Sequence, residues 1–216
     1  MIKVVNKQQL LCLKNELENA ISITNNQGEI PKFFSYLGIM KKNIETCIDC
    51  DYDGIEELTS YLCEDWTMVC KIDCGLGTWY IKSDNIDTKA IENRKFEQSI
   101  LKIDKILETN YILPRKWYDS NDLQNIGLFF NKHKDDWDGI INDIINKYGL
   151  IESKISVIPD DIWTYAKFLS IAPDDNLLID WFSKDIPNFG YLVPLEIVKL
   201  ADGENILRFF MMRITV

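Results

Sequence analysis

Three aspartates alternate with other residues just before a glycine, at Asp49, Asp51, Asp53 and Gly54. Carboxylates at the first, third and fifth positions followed by glycine are typical of the first half of an EF-hand calcium loop. The last position of such a loop is Ser60, where a bidentate glutamate normally completes the coordination. The same carboxylates would also suit a polar turn between two helices, capping a helix that begins near Ile55. The sequence therefore leaves open a calcium site and a capping turn.

Four cysteines form two closely spaced pairs, Cys47 with Cys50 and Cys70 with Cys74. Four thiolates would provide the ligands of a tetrahedral zinc site. Reduced, partly buried thiols are the alternative, because free cysteine behaves as a small apolar side chain. Metal binding, by these cysteines or by the three aspartates, is our alternative hypothesis for the function of the chain. We otherwise expect the chain to bind no cofactor.

The single histidine, His133, is expected to be exposed between two predicted helices. One histidine excludes multi-histidine zinc and iron centres, and no Gly-x-Ser-x-Gly motif of serine hydrolases accompanies it. Gly75 and Gly77 lack the third glycine of a dinucleotide-binding turn, and the chain contains no phosphate-binding loop motif. We therefore predict that the protein is not an enzyme.

The charge and hydropathy of the chain argue against two classes of partner. Its 216 residues include 24 Lys and Arg against 34 Asp and Glu, and the net charge of −10 is spread over both halves. Nucleic-acid binding depends on basic surface, so we expect no nucleic-acid partner. No apolar window approaches the length of a membrane span, and Lys7, Gln8 and Gln9 interrupt any signal peptide. We therefore expect no membrane partner, a cytoplasmic location and reduced cysteines.

The apolar spacing predicts an α+β fold: N-terminal helices with a small β-hairpin or sheet, followed by an all-helical C-terminal half. Helices are expected over residues 7–22, 31–46, 55–64 and 88–108. The hairpin is expected from residues 66–72 and 78–82, which are rich in β-branched and aromatic side chains. Further helices are expected over residues 120–132, 136–148, 160–170, 174–184, 194–201 and 203–213. Pro114 lies in the connection, so we place an α+β domain at residues 1–113 and a helical domain at 114–216.

The end of the helical domain, residues 174–214, combines a helix, a proline–glycine elbow and two short helices. The residues that define its pattern are Trp181, Pro187, Phe189, Gly190, Pro194, Leu195, Glu196, Gly203, Glu204, Arg213 and Ile214. Over residues 178–214 their order and spacing resemble, without a gap, the toxin-binding domain of the Xre/MbcA/ParS-type antitoxins. One position differs, because Tyr191 replaces the second glycine of that family's Gly-Gly pair. A positive φ at this position would be strained in a tyrosine.

The resemblance implies an antitoxin or immunity-like protein that neutralises a cognate toxin, commonly an NAD-degrading toxin of the RES type, by direct stoichiometric binding. It implies a partner-binding surface formed by Trp181, Pro187, Phe189, Gly190, Tyr191, Pro194, Glu196 and Arg213. No helix-turn-helix pattern precedes the segment, so promoter repression is not expected. The alternative is that residues 178–214 only complete the core of a helical domain, because similarity of fold does not fix function.

Overall fold

The computed structural model describes residues 4–25, 31, 33–71, 75–76 and 79–214. The chain divides into two compact units, Met1–Trp117 and Tyr118–Val216. The first unit contains α1 (Lys7–Asn25), α2 (Phe34–Asp49), α3 (Ile55–Cys70) and α4 (Ile86–Ile106). The second contains α5 (Ser120–Lys132), α6 (Lys134–Tyr148), α7 (Asp160–Phe168), α8 (Asp175–Phe182), α9 (Pro194–Ile197) and α10 (Gly203–Met212). A short 3-10 turn, Pro187–Phe189, lies between α8 and α9.

The first unit is built around α1, which packs against α2 and α4, while α2 packs against α3. Every third or fourth residue of α1 is apolar and buried, namely Leu10, Leu13, Leu17 and Ala20. This spacing places the four side chains on one face of the helix, which therefore faces the core. The four helices predicted for this half of the chain are confirmed, although α3 continues well beyond residue 64.

The predicted β-hairpin is wrong, and the α+β class of the N-terminal half is wrong with it. Residues 66–70, expected to begin a strand, are the last turns of α3. Leu58, Leu62, Trp66 and Val69 are spaced by three or four residues and are all buried. Burial along this continuous helix face outweighs the preference of aromatic and β-branched residues for strands. Residue 72 of the predicted strand lies outside the described residues.

The second predicted strand is an irregular segment, residues 79–82, held by a side chain of α4. The Asn93 amide donates a 2.8 Å hydrogen bond to the Ile81 carbonyl oxygen, and its oxygen accepts one of 2.8 Å from the Ile81 N–H. These are the two backbone hydrogen bonds that a neighbouring strand would otherwise provide. Asn93 is fully buried, so a helix side chain takes the place of the expected partner strand. Residue 78 lies outside the described part of the chain.

Two buried carboxylates on α4 hold the segment that follows it, residues 109–117. Asp104 accepts hydrogen bonds from the Trp66 indole, the Thr109 hydroxyl and the backbone N–H groups of Tyr111 and Ile112. About two helical turns earlier, Glu97 accepts a 2.7 Å bond from the Arg115 N–H and a 2.8 Å bond from the Trp117 indole. Because each carboxylate satisfies several buried donors, the pair fixes the segment along α4.

The second unit is helical, as predicted for this half of the chain. Here α10 packs against α5, α7 and α9, and α6 packs against α5 and α7. The largest buried side chains of this unit are aromatic: Phe130, Trp137, Trp163, Phe182, Phe189 and Phe210. Across both units, none of the helices in the described ranges is long and apolar enough to cross a membrane.

Candidate functional site

A tight elbow, residues 186–192, joins α8 to α9 inside the segment that carries the resemblance. The 3-10 turn Pro187–Phe189 forms its bend, and the Phe189 N–H donates a 2.9 Å hydrogen bond to the Ile186 carbonyl oxygen. The Ile186 N–H donates to the Leu192 carbonyl oxygen at 3.1 Å, and the Tyr191 N–H donates to the Ile186 carbonyl oxygen at 2.9 Å. Ile186 and Leu192 thus form an isolated antiparallel bridge that closes the elbow.

The elbow contains two consecutive residues with left-handed backbone, Gly190 at φ 67° and Tyr191 at φ 61°. Glycine adopts this conformation freely. A non-glycine residue pays about 1–2 kcal/mol for it, because its Cβ crowds the following carbonyl oxygen. The elbow therefore places a tyrosine in a backbone conformation that favours glycine.

The residues predicted to bind a partner fall into a buried group and an accessible group. The buried group consists of Phe189, Gly190 and Pro194. These residues set the shape of the elbow from within. The accessible group consists of Trp181 and Tyr191, which are half-buried, and Pro187, Glu196 and Arg213, which are exposed. Of the predicted partner-binding residues, only the second group is therefore accessible from solvent.

Aromatic rings connect the elbow to α10. The edge of Trp181 meets Phe189 with ring centroids 5.8 Å apart, and Phe189 stacks on Phe210 of α10 at 4.9 Å. Phe210 in turn meets the neighbouring Phe209 ring edge-on at 5.9 Å. Edge-to-face and offset-stacked pairs are the favoured arrangements of aromatic side chains. The run of rings therefore holds α10 against the elbow.

Sequence reasoning missed a cluster at the C-terminal ends of α5 and α10, which we call the aromatic face: Phe129, His133 and Arg213, which are exposed, and Phe209, which is half-buried. Phe129 is 52% exposed, and its ring lies 5.9 Å from the Phe209 ring and 4.4 Å from the His133 ring. The Arg213 guanidinium lies over the Phe209 ring at 5.3 Å. The available signal was the two Phe-Phe pairs at residues 129–130 and 209–210. Neighbours on a helix point in different directions, so only one member of each pair can face the core.

Arg208 and Asp161 form an ion pair that holds α10 against α7. Arg208 donates from Nε to Asp161 Oδ2 at 2.8 Å and from Nη2 to Oδ1 at 3.2 Å. The Trp137 indole donates to the same Oδ2 at 2.8 Å. Burial by itself would raise the pKa of Asp161, but the hydrogen bonds and charge of Arg208, together with Trp137, outweigh it and lower the pKa. The pair therefore supports the position of α10 and with it the aromatic face.

The predicted calcium ligands lie at the end of α2 and in the link to α3, and the link is a helix-terminating turn. The Tyr52 N–H donates to the Cys47 carbonyl oxygen at 2.8 Å, and the Asp51 N–H donates to the Ile48 carbonyl oxygen at 3.0 Å. With Asp51 at φ 54°, this is the hydrogen-bond pattern of a Schellman motif. Helix α3 begins at Ile55, as expected, but its N-cap residue Gly54 is left-handed and no side chain caps it. The prediction that the aspartates cap α3 is therefore wrong.

The described residues include three of the four cysteines of the predicted zinc site, because Cys74 lies outside them. Cys47 is buried and its thiol lies 3.5 Å from the Asp53 carbonyl oxygen, whereas Cys50 is exposed. Burial and, to a smaller extent, the charge of Asp104 raise the pKa of the Cys70 thiol to about 12. The form of cysteine that binds zinc is the deprotonated thiolate. Among the described residues, no group of three or more His, Cys, Asp and Glu is placed to hold a metal ion. Metal binding stays a prediction.

His133 lies between α5 and α6 with half of its side chain exposed, as predicted. Its Nδ1 lies 3.7 Å from the Asp136 carboxylate, and its ring lies against Phe129. A hydrolytic triad pairs the histidine with a nucleophile as well as a carboxylate. The contacts of His133 instead make it part of the aromatic face.

Comparison of the chain with models of known protein families, with curated proteins and with solved structures found no match. The proposed function therefore depends on the chain's own residues and on the geometry of the elbow and the aromatic face.

Proposed function

We propose that the second unit is a non-enzymatic protein-binding module that neutralises a partner toxin by direct stoichiometric binding, as an antitoxin or immunity protein does. The observation that carries the proposal is the left-handed pair formed by Gly190 and Tyr191. The antitoxin family that residues 178–214 resemble has two glycines at these positions. The chain keeps the backbone that two glycines favour, at the cost of strain in Tyr191. Left-handed backbone at both positions is what a Gly-Gly pair would permit, and it supports the proposal together with the residue spacing.

The accessible side chains around the elbow suit a protein partner. Trp, Tyr and Arg dominate the binding energy of protein interfaces, because they combine a large apolar area with a polar group. Trp181, Tyr191 and Arg213 are of these types and reach solvent. Phe129 and Phe209 extend the apolar area beside Arg213. These residues are the proposed contact surface, with Pro187 and Glu196 at the exposed elbow and on α9.

The charge of the chain favours a basic partner. With a net charge of −10, the protein attracts cationic surfaces over a distance and speeds their association. The same charge disfavours nucleic acid, so inhibition would act on the toxin itself by covering its active surface. We place this activity in the cytoplasm, in keeping with the free thiols of the five described cysteines.

The test begins with affinity capture by the full-length chain from lysate of its native host. The captured protein is identified, expressed alone and then expressed together with this chain. We expect it to arrest growth alone, to be neutralised by co-expression, and to form a complex of fixed stoichiometry. A captured protein without toxic effect, or one that this chain does not neutralise, would contradict the antitoxin function.

Two charge reversals of the full-length chain locate the surface. Arg213→Glu reverses an exposed charge on the aromatic face, and Lys154→Glu reverses an exposed charge on the loop between α6 and α7. We expect Arg213→Glu to weaken the complex by about tenfold or more, while Lys154→Glu binds like the wild type. Equal affinity of the two variants would place the interface away from the aromatic face.

A further inference from the structure

A cavity of about 300 Å³ lies among α6, α7 and the loop between them, lined by Ile144, Tyr148, Ile151, Thr164, Lys167 and Phe168. Its volume is at the lower end of the range for small-molecule sites. Ile144 and Thr164 are buried and form its floor, whereas Tyr148 and Phe168 are 57% and 48% exposed and form its rim. None of these residues belongs to the elbow or to the aromatic face.

Two exposed aromatic rings form the rim of the cavity. The Tyr148 and Phe168 rings lie 5.8 Å apart, so they contact each other instead of pointing separately into solvent. Single exposed apolar residues are ordinary, but a contiguous patch that borders a cavity is typical of a binding site. The apolar lining therefore favours a ligand with an apolar body.

The polar groups of the cavity favour a ligand with a negative charge. The Thr164 hydroxyl is occupied, because it accepts from the Ile151 N–H at 2.9 Å and donates to the Ile151 carbonyl oxygen at 3.2 Å. Lys167 Nζ lies 2.7 Å from Asp175 Oδ1. An ammonium group has three donors, so further donors remain for a ligand. Lys147 Nζ adds a second positive charge beside the rim, 5.0 Å from the centre of the Tyr148 ring.

We infer that this cavity binds a small amphipathic carboxylate. Its apolar body lies among Ile144, Ile151 and Phe168, and its carboxylate accepts a hydrogen bond from the Lys167 ammonium. In an apolar pocket, a small number of polar groups fixes the orientation of the ligand. In this cavity the Lys167 ammonium does so. The site is independent of the proposed toxin binding, because it uses different residues and a different kind of ligand.

The test is calorimetric titration of the full-length chain with 3-phenylpropionate and with the uncharged 3-phenylpropanol, which has the same apolar body. We expect saturable binding of the acid and binding of the alcohol that is about tenfold weaker or more, as expected for the loss of one charge-assisted hydrogen bond. Lys167→Met keeps the apolar stem of the lysine and is expected to weaken binding of the acid by about tenfold or more, with a much smaller effect on the alcohol.

A matched control is Lys184→Met, because Lys184 is also paired with a single aspartate, Asp180, but does not line the cavity. This variant is expected to bind the acid like the wild type. Phe168→Ser opens the rim and is expected to weaken both probes, and circular dichroism checks that each variant is folded. Absence of saturable binding of the acid, equal binding of acid and alcohol, or equal losses in Lys167→Met and Lys184→Met would overturn the inference.

Discussion

The Asp161 carboxylate receives two hydrogen bonds from the Arg208 guanidinium, and the Trp137 indole shares one of its oxygens. Asp161→Ala would leave both donors without their acceptor in a largely buried place. We expect this variant to lose about 2–4 kcal/mol of unfolding free energy, measured in urea. Glu204→Gln is the control, because this exposed carboxylate lies 3.3 Å from the same Arg208. It should cost less than about 1 kcal/mol, and a similar loss in both variants would contradict the role of Asp161.

The lowered pKa of Asp161 predicts a dependence of stability on acid pH. The pKa of Asp161 in the folded chain lies below its ordinary value of 3.8. Its contribution to stability is therefore complete above that value and is lost as the pH falls through the folded pKa, because the unfolded chain binds the proton more readily. We expect the free energy of unfolding to fall more steeply in acid for the wild type than for Asp161→Asn. If the free energy of unfolding fell equally steeply in acid for both proteins, a group other than Asp161 would account for the pH dependence.

The strain in Tyr191 can be measured with two substitutions. Both Tyr191→Ala and Tyr191→Gly remove the side chain, but only glycine relieves the left-handed backbone. We expect the glycine variant to be more stable than the alanine variant by about 1 kcal/mol, in thermal or urea unfolding. If alanine were the more stable of the two, residue 191 would not have a positive φ in solution.

Asn93 is predicted to be essential for the first unit. Asn93→Leu keeps a similar volume but leaves the N–H and carbonyl of the buried Ile81 without the partners described above. We expect a loss of about 2–4 kcal/mol of unfolding free energy, since each unsatisfied buried group costs about 1–3 kcal/mol. Gln98→Leu, at an exposed position of the same helix, should change stability by less than about 0.5 kcal/mol. Loss of equal size in the two variants would contradict a specific role of the Asn93 amide.

The proposed function predicts that metal is not required. We expect protein purified without chelator to contain less than one equivalent of zinc or calcium, and its unfolding temperature to be unchanged by EDTA. The physical reason is that, among the described residues, no group of three or more His, Cys, Asp and Glu side chains is placed to hold a metal ion. Asp51 is exposed in a turn closed by backbone hydrogen bonds. If the protein contained one equivalent of zinc, and if EDTA removed this zinc and lowered the unfolding temperature, the result would support the four-cysteine zinc site instead.

Much of the helical structure could be predicted from the sequence because its signals are local. Helix α5 occupies the predicted residues 120–132, and its start is fixed by a capping box between Asp119 and Asp122. The prediction of the second strand failed because its decisive contact is not local. Nothing in the composition of residues 79–82 shows that a helix side chain twelve positions later will take the hydrogen bonds of Ile81.

Only part of the candidate site could likewise be predicted from the sequence. The possible strain at Tyr191 could be predicted, because a short motif indicates where a turn needs a positive φ. The aromatic face could not, because its contact between Phe129 and Phe209 joins residues that are far apart in the sequence. Which member of each Phe-Phe pair faces outwards depends on how α5 and α10 pack, and this is a property of the folded unit.

The run of ring contacts from Phe129 through Phe209, Phe210 and Phe189 reaches Trp181, a half-buried indole. Indole emission responds to small changes in local polarity and in the position of neighbouring groups. Trp181 is one of six tryptophans in the chain and contributes the part of the indole emission that comes from the elbow. A partner that moves the Phe129 end of the run would change this contribution, so association would alter the intrinsic fluorescence without any added label.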